Sequence, residues 1–153
     1  MTPVKAIPEG YHNLQPYLHV KGAAQAIEFY KKAFGATEVL RMPMPDGRLG
    51  HAEVRIGDSV LMLADEFPER DIHGPAHYGG APMTLMLYTE NCDAVYAKAL
   101  AEGAKSLREP ADQFYGERMS GVVDPFGFHW FIATHVKDVS PEELQAGMKE
   151  QTA

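Results

Sequence analysis

Apolar and polar positions alternate from Leu14 to Val20. Leu14, Pro16, Leu18 and Val20 fall on one face, Gln15, Tyr17 and His19 on the other. A period of two predicts a half-buried strand. Pro16 has no N–H to give, so it belongs where its nitrogen meets no ladder partner. The period then changes. Ala23, Ala26, Ile27, Tyr30, Ala33 and Phe34 recur at helical spacing, with Glu28, Lys31 and Lys32 facing out. This predicts an amphipathic helix over 23–34, stopped by Gly35 in left-handed backbone. Three strands follow without another helix, over 37–42, 50–56 and 59–64. Pro45-Asp46-Gly47 forms the first turn between them and Gly57-Asp58 a two-residue hairpin. Residues 66–82 are rich in Pro, Gly and charge and read as a long connection.

The same order then recurs. A strand over 83–89 leads to Asn91, a helix cap, and to the stripe Cys92, Val95, Tyr96, Ala99 and Leu100, which ends at Gly103. Three more strands are predicted over 105–108, 117–123 and 128–134. Ser140-Pro141-Glu142-Glu143 is a capping box with Pro in the first turn, so a terminal helix should occupy about 140–150. Strand, helix and three strands, twice, predict an α+β chain of two βαβββ modules, about 12–65 and 83–136. The whole length, 1–153, suits a single domain.

Composition narrows the partners. The chain carries 21 acidic and 14 basic residues, a net charge of -7. Without clustered Lys and Arg, no nucleic-acid partner is expected; the charge would mildly attract a cationic ligand. The lone Cys92 permits no intrachain disulfide, which points to the cytoplasm. Met1–Gly10 has no apolar run resembling a signal peptide. No apolar stretch approaches the roughly 20 residues of a membrane span, so no membrane partner is expected. No nucleotide loop, zinc spacing or Ser-His-Asp signature occurs.

Four segments carry a family resemblance: Ala26-Ile-Glu-Phe-Tyr-Lys-Lys-Ala-Phe-Gly35, Gly50-His-Ala-Glu-Val-Arg-Ile-Gly-Asp58, Asp112-Gln-Phe-Tyr-Gly-Glu-Arg118 and Asp124-Pro-Phe-Gly127. In this order they resemble the vicinal oxygen chelate superfamily, in its glyoxalase/bleomycin resistance or PhnB-like branch. The resemblance runs from about Leu14 to His135. It implies paired βαβββ modules whose mixed sheet is half open, helices on the convex face, a cavity on the concave face, and a homodimer. It also implies four metal-ligand positions in metal-dependent members, which here carry Gln15, Met62, Thr84 and Phe131. Only Gln15 is an acceptable donor; Met62 is soft, and divalent metals want converging oxygen and nitrogen donors. No metal at the inherited site, and no cofactor, is expected.

The hairpin at Gly57-Asp58 assigns faces. If Ile56 opposes Ser59, then His51, Glu53 and Arg55 share the face of Met62, the cavity side. Gln15, Tyr17 and His19 line the same side of the first strand, and His129 shares a face with Phe131. His51 and Glu53 are the candidate acid–base pair; otherwise His51 is a structural or hydrogen-bonding histidine, and Glu53 with Arg55 a solvated or paired surface. Tyr115 and Arg118, in a Gly-containing segment before a strand, are candidate ligand contacts, or a rim held by an Arg118 ion pair. Loop histidines His73 and His77 read as solvated. Met42, Met44, Met62, Met83 and Met86 read as core, or as an adaptable apolar pocket wall. Cys92 at a helix start reads as a buried thiol rather than an activated one. Three functions follow. The first is a protein that binds a small molecule and sequesters an antibiotic or metabolite. The second is a lyase, isomerase or dioxygenase-like enzyme using a relocated metal or the His51/Glu53 pair. The third is a dimeric structural or regulatory module without a small ligand.

Overall fold

The computed structural model describes residues 1–152. They form two compact units, Met1–Gly80 and a second from Ala81 onward. In the first unit the order is β1 (Tyr17–Val20), α1 (Ala23–Phe34), β2 (Thr37–Pro43), β3 (Leu49–Ile56) and β4 (Ser59–Asp65). The sheet runs β1-β4-β3-β2. β1 lies parallel to β4, and the other pairs are antiparallel. Alternation sets the faces as the sequence predicts. Leu18, Val20, Ala52, Val54 and Leu63 are buried on the side covered by Ala26, Ile27 and Tyr30 of α1. Each Leu and Val among them contributes about 1.5–3 kcal/mol by leaving water, and Ala52 less.

One carboxylate ties three elements of this unit together. Gly22 precedes α1 in left-handed backbone and offers no side-chain cap. Asp65, buried at the end of β4, supplies it instead: Oδ1 accepts from the N–H groups of Gly22 (3.0 Å) and Ala23 (2.8 Å). Oδ2 accepts from Leu49 N–H, at the start of β3, at 2.6 Å. At the other end Gly35 has φ 69 and donates to Lys31 O, the expected stop.

The second unit repeats the plan with β5 (Thr84–Tyr88), α2 (Cys92–Ala101), β6 (Lys105–Asp112), β7 (Glu117–Val123), β8 (His129–His135) and α3 (Pro141–Thr152). Its sheet order is β5-β8-β7-β6. Asn91 caps α2 by accepting from Ala94 N–H at 3.1 Å. Ser140 Oγ accepts from Glu143 N–H at 3.2 Å at the start of α3. Buried Asp124 is the unit's tie. Oδ1 accepts from the N–H groups of Phe126 (2.9 Å) and Phe128 (3.0 Å), and Oδ2 from Trp130 Nε1–H (2.9 Å). The fold is therefore α+β, with two open four-stranded mixed sheets in βαβββ order.

Three expectations need correction. β1 starts at Tyr17 rather than Leu14, whose side chain is exposed; Pro16 contributes only its carbonyl, to Met62 N–H. β6 extends to Asp112 rather than Arg108, because an edge strand tolerates Pro110 where register shifts interrupt its ladder with β7. The 66–82 connection holds two 3-10 turns, Pro68–Arg70 and Pro75–Tyr78, each with a Pro at its start, and a bridge between Phe67 and Ile72. No helix of the described residues is long and apolar enough to cross a membrane.

Candidate functional site

The hairpin register is the one the sequence argument used: Ile56 opposes Ser59, Arg55 opposes Val60 and Glu53 opposes Met62. Ala52 and Val54 go under α1, so His51 and Glu53 take the opposite face. β1 adds Tyr17, opposite Met62, and His19, opposite Ala64. These side chains join in a hydrogen-bonded chain. Tyr17 OH lies 2.7 Å from His51 Nδ1, and His51 Nε2 lies 2.7 Å from Glu53 Oε2. Tyr11, from the segment before β1, donates to the other oxygen, Glu53 Oε1. With His51 neutral, one tautomer satisfies the chain: Nε2–H donates to the carboxylate and Nδ1 accepts from the Tyr17 hydroxyl.

The electrostatics follow from this geometry. Glu53 is 5% exposed, and burial alone would raise its pKa. The hydrogen bonds from Tyr11 and His51 outweigh that and hold it below the usual carboxylate value. Tyr17 is pushed up by burial and by the Glu53 charge. Tyr11 is pushed up by its bond to Glu53 and then by burial. Both phenols stay protonated at neutral pH.

Beside this chain lies a cavity of about 390 Å³ within the first unit. Met42, Met44, Phe67 and Ile72 give it apolar walls; Tyr17, His19 and His51 give it a polar side; Arg70 is its one cationic lining residue. The His19 Nδ1 atom is buried without a hydrogen-bond partner among the described residues. Burial lowers the His19 pKa from 6.5, with Glu66 pulling weakly the other way. A folded-state pKa below the unfolded one means the unfolded chain binds more protons as the pH drops. His19 therefore removes stability as pH falls below about 6.5 toward its folded value. In urea unfolding, His19→Gln should flatten the loss of stability between neutral and mildly acidic pH.

The sequence candidates divide. Tyr17, His19 and His51 line the cavity, with Glu53 bonded behind His51. Gln15 does not line it: its side-chain oxygen accepts from His12 N–H (2.6 Å) and its amide donates to Val60 O (2.7 Å). Met62 sits half-buried between Tyr17 and Glu53 in the sheet. The other candidates belong to the second unit. Thr84 is exposed and opposes half-buried His129. Tyr115 OH approaches Met119 Sδ at 3.7 Å. Arg118 is engaged by Asp93 (2.7 and 2.9 Å) and Asp112 (3.2 Å), the ion-paired rim arrangement. Phe131 lies under the Arg108 guanidinium, 5.3 Å from the ring centroid. The cross-strand set Tyr17–Met62–Glu53 has Met86–Phe131–Gly121 as its counterpart in the second unit. At these aligned positions the second unit carries no polar chain; its own Tyr88 and His135 both approach Glu117 Oε1 at 3.3 Å, elsewhere on the sheet.

Three of the four side chains at the inherited metal positions do not suit a divalent ion, the fourth being the exposed Thr84 hydroxyl. Gln15 is committed to backbone groups, and Met62 and Phe131 offer no hard donor. Among the described residues no three His, Cys, Asp or Glu side chains form a metal-holding group. Met42, Met83 and Met86 are exposed rather than core. Cys92 is buried, and burial raises its thiol pKa. His73 is only partly solvated: it stacks on His77 at 3.6 Å and bonds Asp71 at 3.0 Å. Sequence reasoning missed Tyr11, Phe67, Arg70 and Ile72. For Phe67 and Ile72 the signal was there, as two apolar residues bracketing a Pro-initiated turn in a polar stretch.

Comparison with known proteins agrees with this architecture. The model of the Glyoxalase/Bleomycin resistance protein/Dioxygenase superfamily matches residues 13–132. Among curated proteins, the uncharacterized protein Rv0887c of Mycobacterium tuberculosis (strain ATCC 25618 / H37Rv) is 42% identical over 141 residues, covering 90% of this chain and 83% of its own. Among solved structures, protein PA1353 from Pseudomonas aeruginosa matches with a TM-score of 0.69 at 20% identity, over 82% of this chain and 99% of that one. A PhnB protein from Bacillus cereus matches with a TM-score of 0.63 at 18% identity, over 80% of this chain and 99% of that one. At these identities the two structures speak for the fold.

Proposed function

Given that this chain belongs to the Glyoxalase/Bleomycin resistance protein/Dioxygenase superfamily, we propose that it binds a small, largely apolar molecule in the cavity of its first unit. The observation that carries this reading is the cavity itself. It combines about 390 Å³ of space and Met, Phe and Ile walls with a few converging polar groups, the usual make-up of a ligand site. At about 30 Å³ per water, that space equals about 13 waters, so the ligand has on the order of a dozen non-hydrogen atoms. Sequestration of an antibiotic or metabolite needs nothing more than this. Self-association to a cytoplasmic homodimer belongs to the same reading. The edge strand β2 exposes Val39, Leu40 and Met42, and such edges ask for cover.

The reading is tested with a neutral probe of matching size, 2-naphthamide. The protein should bind it saturably at one site per chain. Ala64→Phe projects a ring from the face shared with His19 and should weaken binding at least about tenfold, or about 1.4 kcal/mol, with a native circular dichroism spectrum. Equal binding by the variant would reject the cavity as the site.

A second reading, an acid–base enzyme, draws support from the Tyr17–His51–Glu53 chain. A histidine oriented by a carboxylate can take the proton of a hydroxyl on its other nitrogen. Here that hydroxyl is a side chain on the cavity wall, so Tyr17 would relay the proton to or from a bound molecule.

A further inference from the structure

We propose that the ligand of this cavity is a monoanion, a flat apolar body carrying one carboxylate, and that Arg70 receives the carboxylate. The inference rests on the small-molecule reading above and names the ligand's chemical class.

Arg70 is surrounded by acids that are engaged elsewhere. It ends the short turn Pro68–Arg70 and has acidic neighbours on both sides, Glu69 and Asp71, in a chain of net charge -7. Neither pairs with it. Glu69 reaches away to Arg48, with contacts of 2.6 and 3.2 Å. Asp71 adopts left-handed backbone, φ 58, the one non-glycine of the described residues to do so, and gives its carboxylate to His73 at 3.0 Å. Glu66, the next acid along the chain, accepts from Gly74 N–H at 2.8 Å. Arg70 thus has no carboxylate within ion-pairing distance among the described residues. Its guanidinium carbon lies over the Phe67 ring, 5.7 Å from the centroid. Arg48, on the same ring at 4.3 Å, shows the contrast: it is paired with Asp46 and Glu69.

The rest of the wall does not oppose an anion. Its remaining titratable residues are Tyr17, His19 and His51. Of the carboxylates near it, Glu53 is turned to Tyr11 and His51, Asp65 is bound to the starts of α1 and β3, and Glu66, which acts on His19, accepts from Gly74 N–H. Met42 and Met44 line the apolar part with Phe67, and thioether sulfurs favour aromatic edges. An arginine fork suits a carboxylate better than a single-point acceptor. The overall negative charge pointed to a cationic ligand; the local arrangement reverses that sign.

The test compares three probes of one shape by calorimetry on the full chain: 2-naphthoate, neutral 2-naphthamide and cationic 2-naphthylmethylammonium. The expected order places naphthoate about tenfold or more ahead of naphthamide, as for a hydrogen bond to a charged group, with the ammonium last. The naphthoate advantage should shrink as salt is added. In Arg70→Gln the naphthoate and naphthamide constants should converge. Equal binding of the first two probes by the native chain, a preference for the ammonium, or an unchanged naphthoate preference in Arg70→Gln would overturn the inference while leaving the cavity reading standing. Saturable binding of none of the three would overturn both.

Discussion

Replacing Asp124 by Ala should destabilise the second unit by about 3–5 kcal/mol, because it removes the acceptor shared by three donors at the start of β8 and the turn before it. The carboxylate is 3% exposed and accepts from Phe126 N–H, Phe128 N–H and the Trp130 indole. Each buried donor left unsatisfied costs roughly 1–3 kcal/mol. Asp65→Ala should have a comparable effect on the first unit, since it releases the starts of α1 and β3 together. Asn at either position keeps one acceptor oxygen and should lose less. Urea unfolding followed by circular dichroism checks both. A loss below about 1 kcal/mol in the Ala variants would mean that water satisfies these groups and that the ties are dispensable.

His51→Ala and Glu53→Gln should each weaken ligand binding by up to about tenfold, because the Tyr17 hydroxyl on the cavity wall loses the oriented acceptor that positions it, a neutral hydrogen bond worth about 0.5–1.5 kcal/mol. His51 is a lining residue, and Glu53 acts through it by fixing its tautomer and orientation. The core face of β3, made by Ala52, Val54 and Ile56, is untouched by either change. Both variants should therefore fold. Their pH behaviour reports what Glu53 contributes to folding. The folded-state pKa of Glu53 lies below its unfolded value of 4.5, so its contribution to stability is present above that value. It is lost as pH falls through the folded value. Glu53→Gln should remove that acid-linked loss. Titrating 2-naphthamide into both variants, alongside melting curves, gives the two readouts. Lower melting temperatures with unchanged affinity per folded molecule would make the chain a structural clamp and remove it from the site.

Much of this was legible in the residues, for identifiable reasons. The Ala23–Phe34 helix and the Gly57-Asp58 hairpin are local: a 3.6-residue stripe with a Gly stop, and a two-residue turn that pins its own register. From that register came the faces of His51 and Glu53, since one residue's slip would have turned both under α1. What stayed hidden depends on contacts between distant positions. Tyr11 lies in an irregular segment with no period, yet it bonds Glu53 from 42 positions away. Arg70 reads as one more charge in a polar loop, and only folding shows its acidic neighbours occupied elsewhere. Gln15 fits the alternation of the first strand, but the strand begins after it and its amide serves backbone groups.

Amide chemical-shift mapping of the ¹⁵N-labelled chain during titration with 2-naphthoate tests the central claim most directly. The account predicts saturable shifts concentrated at Gly50, His51, Ala64 and Ile72, the cavity lining of the first unit, with Arg70 among the largest. Shifts centred on Thr84, His129 and Phe131 in the second unit, or no saturable shifts, would contradict it.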